Sequence, residues 1–96
     1  MEKNNYNWFL TAIANNDCHR TFGFYKEYSN ALEAVTTNRC NMHEYLYEYL
    51  VMEKIGEGIH PPVTEEHWFM WDDRNQKWIP WEKLHKYRNI TNWALG

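Results

Sequence analysis

Four of the six tryptophans in this chain lie within residues 67–81, which read HWFMWDDRNQKWIPW. Two apolar stretches flank a polar centre, and this pattern predicts a β-hairpin whose turn lies in that centre. The hairpin sets Trp71 opposite Trp78. The same register sets Trp68 opposite Trp81, and each cross-strand aromatic pair stabilises a sheet by about 0.2–1 kcal/mol.

The spacing between the two tryptophan pairs restricts how the hairpin can be buried. Residues three positions apart on a strand point to opposite faces of the sheet. One pair can therefore enter the core, and the other needs a cover of its own. A short helix over residues 82–88 is the simpler expectation for that cover, and a bound partner or ligand is the alternative.

The centre of the hairpin allows two connections. A two-residue turn at Arg74 and Asn75 gives this register if Asn75 takes the positive φ that such turns require. A longer loop over residues 72–77 keeps the same tryptophan pairing. Pro80 has no N–H, so the second strand should lie at an edge of the sheet or end there.

The N-terminal part of the chain reads as an antiparallel pair of strands. Residues 7–14 and 19–25 are rich in apolar and aromatic side chains, and the intervening NND is a turn signal. On the second strand, alternation places Arg20, Phe22 and Phe24 on one face.

The central part predicts the main helix and a further strand. Residues 28–38 have helical periodicity, with Ser29 as the expected N-cap and Asn38 able to close the helix in a left-handed turn. Residues 43–55 alternate in a way that favours a strand, although their start could be helical. Residues 89–95 read as a last strand.

These elements predict a single compact α+β domain over residues 1–96. Its sheet is expected to be mostly antiparallel with five or six strands. One main helix follows the second strand, and a short helical segment lies near the C-terminus.

The composition excludes several classes of protein. The net charge is −3, from 10 Lys+Arg and 13 Asp+Glu, and no basic run exceeds two residues. Binding to a nucleic-acid backbone needs clustered positive charge, so we expect no nucleic-acid partner. No apolar stretch is long enough to span a membrane, and the N-terminus does not resemble a signal peptide. We therefore expect a cytoplasmic protein that does not bind membranes.

The candidates for catalysis or metal binding are weak. Cys18 and Cys40 are followed by His19 and His43, but these spacings do not suit a four-ligand zinc site. We expect ordinary thiols, with no metal and no disulfide. The sequence shows neither an activated nucleophile nor a glycine-rich phosphate loop, so we expect no catalytic residues and no cofactor.

Arginines among aromatic residues suggest a different kind of site. A guanidinium can hold a phosphate while a neighbouring ring stacks on a base. Arg20 and Arg88 have such surroundings, and the alternative is that they are ordinary surface arginines. The candidate ligand-binding residues are Arg20, Trp68, Trp71, Trp78, Trp81, Tyr87, Arg88 and Trp93.

Three stretches of the chain resemble a set of small uncharacterised proteins of bacteriophages and Firmicutes. They are HRTFGFYKEYSNALEAVTTNRCNMHEYLYEYLVMEKIGEGIHP, WFMWDDRNQKWIPW and the ending NITNWALG. The shared pattern is Phe-Gly-aromatic-Tyr, an Ala-containing helix, a Glu-Tyr-rich strand, Trp-Asp and a terminal Gly. The resemblance implies a compact α+β fold and a phage or prophage setting, and it carries no catalytic residues.

Two functional hypotheses follow. Small phage proteins without an enzyme signature often counter host defence, so the first is a non-enzymatic protein that sequesters a nucleotide-like small ligand in the host cytoplasm. The alternative is an inhibitor or adaptor that binds a host protein through an aromatic-rich interface. A surplus of apolar strand faces also predicts self-association, most simply as a homodimer.

Overall fold

The structure is a computed structural model that describes residues 6–43, 47–59 and 61–95. An antiparallel sheet of five strands carries an α-helix on one face and the C-terminal segment on the other. This arrangement confirms the predicted α+β class with one main helix after the second strand. In chain order the elements are β1 (Asn7–Ala14), β2 (His19–Tyr25), α1 (Tyr28–Thr36), β3 (Tyr47–Ile55), β4 (Val63–Asp72) and β5 (Lys77–Trp81), with 3-10 turns at Arg39–Asn41 and His85–Tyr87.

Two apolar clusters hold the layers together. The strands lie in the order β2-β1-β3-β4-β5, so β2 and β5 are the edges of the sheet. A helix-side cluster packs between α1 and the sheet, and a tail-side cluster packs between the sheet and the C-terminal segment. The buried members are Trp8, Leu10, Ala31, Ala34, Val35, Met42, Leu50, Met52, Phe69 and Trp78 on the helix side, and Ile13, Val51, Trp68, Tyr87 and Trp93 on the tail side.

The tryptophan hairpin has the predicted register. Trp68 pairs with Trp81, and Trp71 pairs with Trp78. Trp78 belongs to the helix-side cluster and Trp68 to the tail-side cluster, so the two pairs point to opposite faces. Pro80 lies in an edge strand, which also confirms the prediction.

The hairpin uses the longer of the two predicted connections. Its strands end at Asp72 and resume at Lys77, so four residues form the loop. The Asp72 carboxylate accepts hydrogen bonds from the backbone N–H groups of Arg74 and Asn75, at 3.1 and 3.4 Å. The positive φ falls on Gln76, at 55°, and not on Asn75. The two-residue turn is therefore wrong, because an Asp side chain already organises a wider loop.

A β-bulge interrupts the pairing of β1 with β2. Leu10 pairs with Gly23 and the next residue of β1 pairs with Thr21, which leaves Phe22 as the extra residue. Phe22 packs against the helix-side cluster, whereas Phe24 points to the opposite face and is 58% exposed. The expectation that these two rings share a face is wrong, because a bulge shifts the alternation by one residue.

The main helix is shorter than expected and begins without a side-chain cap. Its N-cap residue is Glu27, so Ser29 is not the N-cap. The helix ends at Thr36, and Asn38 takes the predicted left-handed conformation, with φ 49° and ψ 49°. Small side chains form its buried face, namely Ala31, Ala34 and Val35.

The strand expected over residues 43–55 begins at Tyr47, and His43 lies outside it. Of residues 43–49, which could have started as a helix, residues 47–49 belong to β3 and residues 44–46 lie outside the described residues.

The C-terminal segment covers the sheet without forming a regular element. The helix expected over residues 82–88 is reduced to one 3-10 turn, and the strand expected over residues 89–95 is wrong. The N–H groups of Trp93 and Ala94 donate instead to the buried carboxylate of Glu53, at 3.0 and 3.2 Å. Since a side chain satisfies these donors, this part of the chain needs no neighbouring strand. Among the described residues, no helix is long and apolar enough to cross a membrane.

Candidate ligand-binding site

Half of the predicted ligand-binding residues are buried. Trp78 is 3% exposed beneath α1, and Trp68, Tyr87 and Trp93 are 7%, 1% and 5% exposed on the tail side. The last three rings contact one another, with centroids 5.0–6.1 Å apart. Little of these side chains is left for a ligand to contact.

The other four predicted residues do not converge on one site. Trp71 is half-buried and stacks on the His43 ring, with centroids 3.8 Å apart. Trp81 is 48% exposed on the edge strand β5. Arg20 is exposed on β2, at the opposite edge of the sheet, and Arg88 is exposed near the C-terminus.

Separate depressions lie beside Trp71, with about 370 Å³, and beside Trp81, with about 470 Å³, and a further concave site lies beside β2. A depression of about 220 Å³ lies between this strand, α1 and the 3-10 turn Arg39–Asn41, and we call it the β2–α1 depression. Its lining includes three side chains that are each 2% exposed and wholly apolar: Leu10, Ala34 and Met42. Phe22 and Tyr25 line it from β2, and Arg39 and Cys40 line it from the 3-10 turn.

Gly23 keeps one side of the depression open. It lies on β2 opposite Leu10, and a Cβ atom at this position would have no neighbouring atom within 4 Å. A larger residue would fill this space. A glycine within a strand often marks a bulge or a place where a ligand or another backbone approaches closely. That signal is present in the stretch HRTFGFY, and it is the sequence feature that could have located this site.

The depression is bordered by a strained segment of backbone. Asn38, Cys40 and Asn41 all have positive φ, at 49°, 59° and 50°. Non-glycine residues in this region are uncommon, and each costs of the order of 1–3 kcal/mol. Such strain persists only where surrounding contacts fix the backbone, and it is concentrated at functional sites.

The side chain of Asn38 supplies those contacts. Its Oδ1 atom accepts hydrogen bonds from the His43 backbone N–H at 2.9 Å and from Trp78 Nε1 at 3.1 Å. Its Nδ2 atom donates to Asn41 Oδ1 at 3.1 Å. Trp78 therefore anchors the segment that carries Arg39, although its ring is buried away from the depression.

Arg39 provides a positive charge at the border of the depression. Its Nη2 atom lies 3.0 Å from Glu33 Oε1, and the two side chains are 52% and 63% exposed. Exposed ion pairs contribute little stability, so an anion can compete with the Glu33 carboxylate for this guanidinium. Arg39 lies one residue beyond the predicted end of the helix at residue 38, and the neighbouring aromatic residues in the sequence favoured Arg20 and Arg88 instead.

The perturbed titratable groups lie elsewhere. Burial raises the pKa of Glu53, and burial together with the bond to Asp17 raises the pKa of Tyr87. Hydrogen bonds from Tyr87 and Lys86 lower the pKa of Asp17, and the Asn75 side chain lowers the pKa of Asp72. None of these groups lines the depression, whose residues offer mainly apolar contacts and aromatic rings, together with the Arg39 guanidinium and the Cys40 thiol. These are features that serve binding.

No protein-family model matches the sequence, and the comparisons with curated proteins and with solved structures found no match. The functional proposal therefore rests on the geometry of this chain.

Proposed function

We propose that this chain is a non-enzymatic binding protein that sequesters a nucleotide-like small ligand in the β2–α1 depression. The observation that carries the proposal is an apolar depression bordered by strained, firmly held backbone that presents an arginine. In this arrangement the base packs against Phe22 and the apolar floor. The phosphate replaces Glu33 as the partner of Arg39.

The size of the depression limits what it can enclose. Sites that bury drug-sized ligands usually measure about 300–1,000 Å³. A volume of about 220 Å³ suits one base or another planar ring, while phosphate groups remain at the border. Stacking of a base contributes about 1–3 kcal/mol, and an arginine–phosphate contact adds a charge-assisted bond. Because the border is already held in place, less ordering is required on binding.

The biological setting is a separate proposal, which rests only on the resemblance of the sequence to small phage proteins. We place the chain in a phage or prophage and its activity in the host cytoplasm, where it counters a defence that signals through a nucleotide-like molecule. Sequestration requires tight binding but no catalytic group, and a lining that is mainly apolar supports binding.

Calorimetry with cyclic nucleotides and ADP-ribose derivatives tests the proposal. Arg39→Ala removes the charge beside the depression and should weaken binding of a responding nucleotide about tenfold or more. Arg88→Ala is the matched control, because it removes an exposed arginine that does not line the depression, and its affinity should stay within about twofold. Equal affinity of all three proteins, or no binding at millimolar concentration, would contradict the proposal.

A second function is supported by one observation. Phe24 is 58% exposed and its ring packs on Phe9, with centroids 5.2 Å apart, on the face opposite α1, although the residue also borders the β2–α1 depression. Exposed aromatic residues are common energetic centres of protein interfaces. If no nucleotide binds, an inhibitor or adaptor that contacts a host protein through these rings becomes the better proposal. Phe24→Ala should then abolish capture of that protein from a host lysate.

A further inference from the structure

The two edges of the sheet differ in their capacity to pair with another strand. At one edge, β5 contains Pro80, which cannot donate a backbone hydrogen bond. At the other edge, β2 contains no proline, and its outer side has no neighbouring strand among the described residues. An unpaired edge strand is a ready template for strand addition. β2 is therefore the edge available for a partner.

We propose that β2 pairs antiparallel with β2 of a second copy of this chain, across a two-fold axis perpendicular to the sheet. The pairing joins two sheets into one and brings a second copy to the open side of the β2–α1 depression. The strand pairing depends only on the free edge of β2 and not on a ligand. Its consequence for a ligand rests on the proposed function.

The bulge in β2 selects the register of this pairing. A two-fold axis perpendicular to the sheet keeps its faces continuous, so each residue must meet one that points to the same face. Thr21 bonds to Thr11 and Phe24 packs on Phe9, both on the face opposite α1. Phe22 and Tyr25 instead pack against the helix-side cluster.

An axis between residues 22 and 23 satisfies this condition. It sets Phe22 opposite Gly23 of the second copy, Thr21 opposite Phe24, and Arg20 opposite Tyr25. A shift of one residue in either direction pairs side chains from opposite faces, because the bulge breaks the strict alternation of β2.

The open space beside Gly23 also supports this register. The space beside Gly23 is empty, with no atom within 4 Å of a Cβ position. In the proposed pair, the Phe22 ring of the second copy lies over this glycine. An aromatic ring that covers a cross-strand glycine is an established way to stabilise a sheet.

The opposite charges of Arg20 and Glu27 also support this register. Arg20 stands diagonally across from Glu27 of the second copy, a distance that long side chains can bridge. Glu27 has an extended backbone, with φ −102° and ψ 132°, so the strand direction continues to this residue. Within the described residues, neither Arg20 nor Glu27 forms an ion pair. The two-fold axis creates this Arg–Glu contact twice.

The second copy also changes the depression. Gly23 and Phe22 both line it, so the Phe22 ring of the second copy becomes an additional aromatic wall. A ligand base would then lie between rings from two chains.

Sedimentation velocity at micromolar concentration tests the pairing directly. The wild type should sediment as a dimer of about 23.6 kDa, twice the 11.8 kDa of one chain. Phe24→Lys places a charge on the pairing edge and should give the monomer. Trp81→Lys changes a comparably exposed aromatic residue on the other edge strand and should leave the dimer intact. Circular dichroism checks that each variant is folded.

A charge exchange tests the register. Arg20→Glu and Glu27→Arg should each weaken the dimer, and the double variant should restore it, because the ion pair forms again with reversed charges. A monomeric wild type, or a double variant no tighter than the single ones, would overturn the proposal. A monomer that binds nucleotide would overturn the pairing alone, whereas a dimer that binds none would overturn the proposed function alone.

Discussion

At the scale of single residues, Asn38 links the candidate site to the core. Its side chain makes three hydrogen bonds while its backbone is left-handed. The sequence predicted that conformation, because asparagine tolerates positive φ after a helix. The bond to Trp78 could not be predicted, since it joins residues 40 positions apart. The residue type of Asn38 was therefore enough to predict its left-handed backbone, whereas its bond to Trp78 is visible only in the folded structure.

Replacing Asn38 separates these two roles. Asn38→Ala should lower the free energy of unfolding by about 2–4 kcal/mol, because it strains the left-handed backbone and leaves the buried Trp78 N–H without an acceptor. Asn38→Gly accepts the backbone conformation but also loses the side chain, so it should be more stable than the alanine variant by about 1 kcal/mol. Urea unfolding measures both. Equal stability of the two variants would show that the backbone at this position is not strained.

At the scale of elements, the tryptophan hairpin was predictable and the C-terminal segment was not. The hairpin pairs residues that are close in sequence, so period and turn composition were sufficient to set its register. The tail is held by the Glu53 carboxylate, which lies about forty residues earlier in the chain. The apolar residues of the tail suggested a strand. In the structure the Glu53 carboxylate, and not a neighbouring strand, accepts the hydrogen bonds of its backbone.

The Glu53 contact predicts a pH dependence of stability. Burial raises the pKa of Glu53 above its ordinary 4.5, and the facing carboxylate of Glu66 acts in the same direction, whereas hydrogen bonds from the tail lower it. The folded state then binds this proton more tightly than the unfolded state. The stability contributed by Glu53 is therefore greatest below about pH 4.5 and is lost as pH rises through the folded-state pKa.

Glu53→Gln removes this titration while keeping a similar shape. The free energy of unfolding of the wild type, relative to this variant, should decline as pH rises from about 4.5 towards neutrality. The ion pair between Lys83 Nζ and Glu66 Oε1, which are 3.0 Å apart, is present in both proteins, so it does not account for a difference between them. Urea unfolding over this pH range measures the difference. A difference that stays constant or grows with pH would contradict the assigned direction.

At the scale of the whole molecule, the fold class followed from the sequence and the candidate site did not. Amphipathic patterns and turn residues predicted the sheet and its single helix, because each pattern must bury an apolar face. The site depends on a bulge, an absent Cβ and a strained loop that meet only in the folded chain. The clustered tryptophans indicated a binding surface, but Trp68 and Trp78 are buried in the tail-side and helix-side clusters.

The central claim is that a ligand occupies the β2–α1 depression, and methyl NMR of ¹³C-methionine-labelled protein tests it most directly. Met42 lines the depression, whereas Met70 lines a separate surface beside Trp71. Methionine-to-leucine variants assign the signals. During titration with the nucleotide that responds in calorimetry, the Met42 methyl signal should shift and the Met70 signal should stay in place. A shift of Met70 with Met42 unchanged would place the ligand at the tryptophan hairpin and contradict the claim.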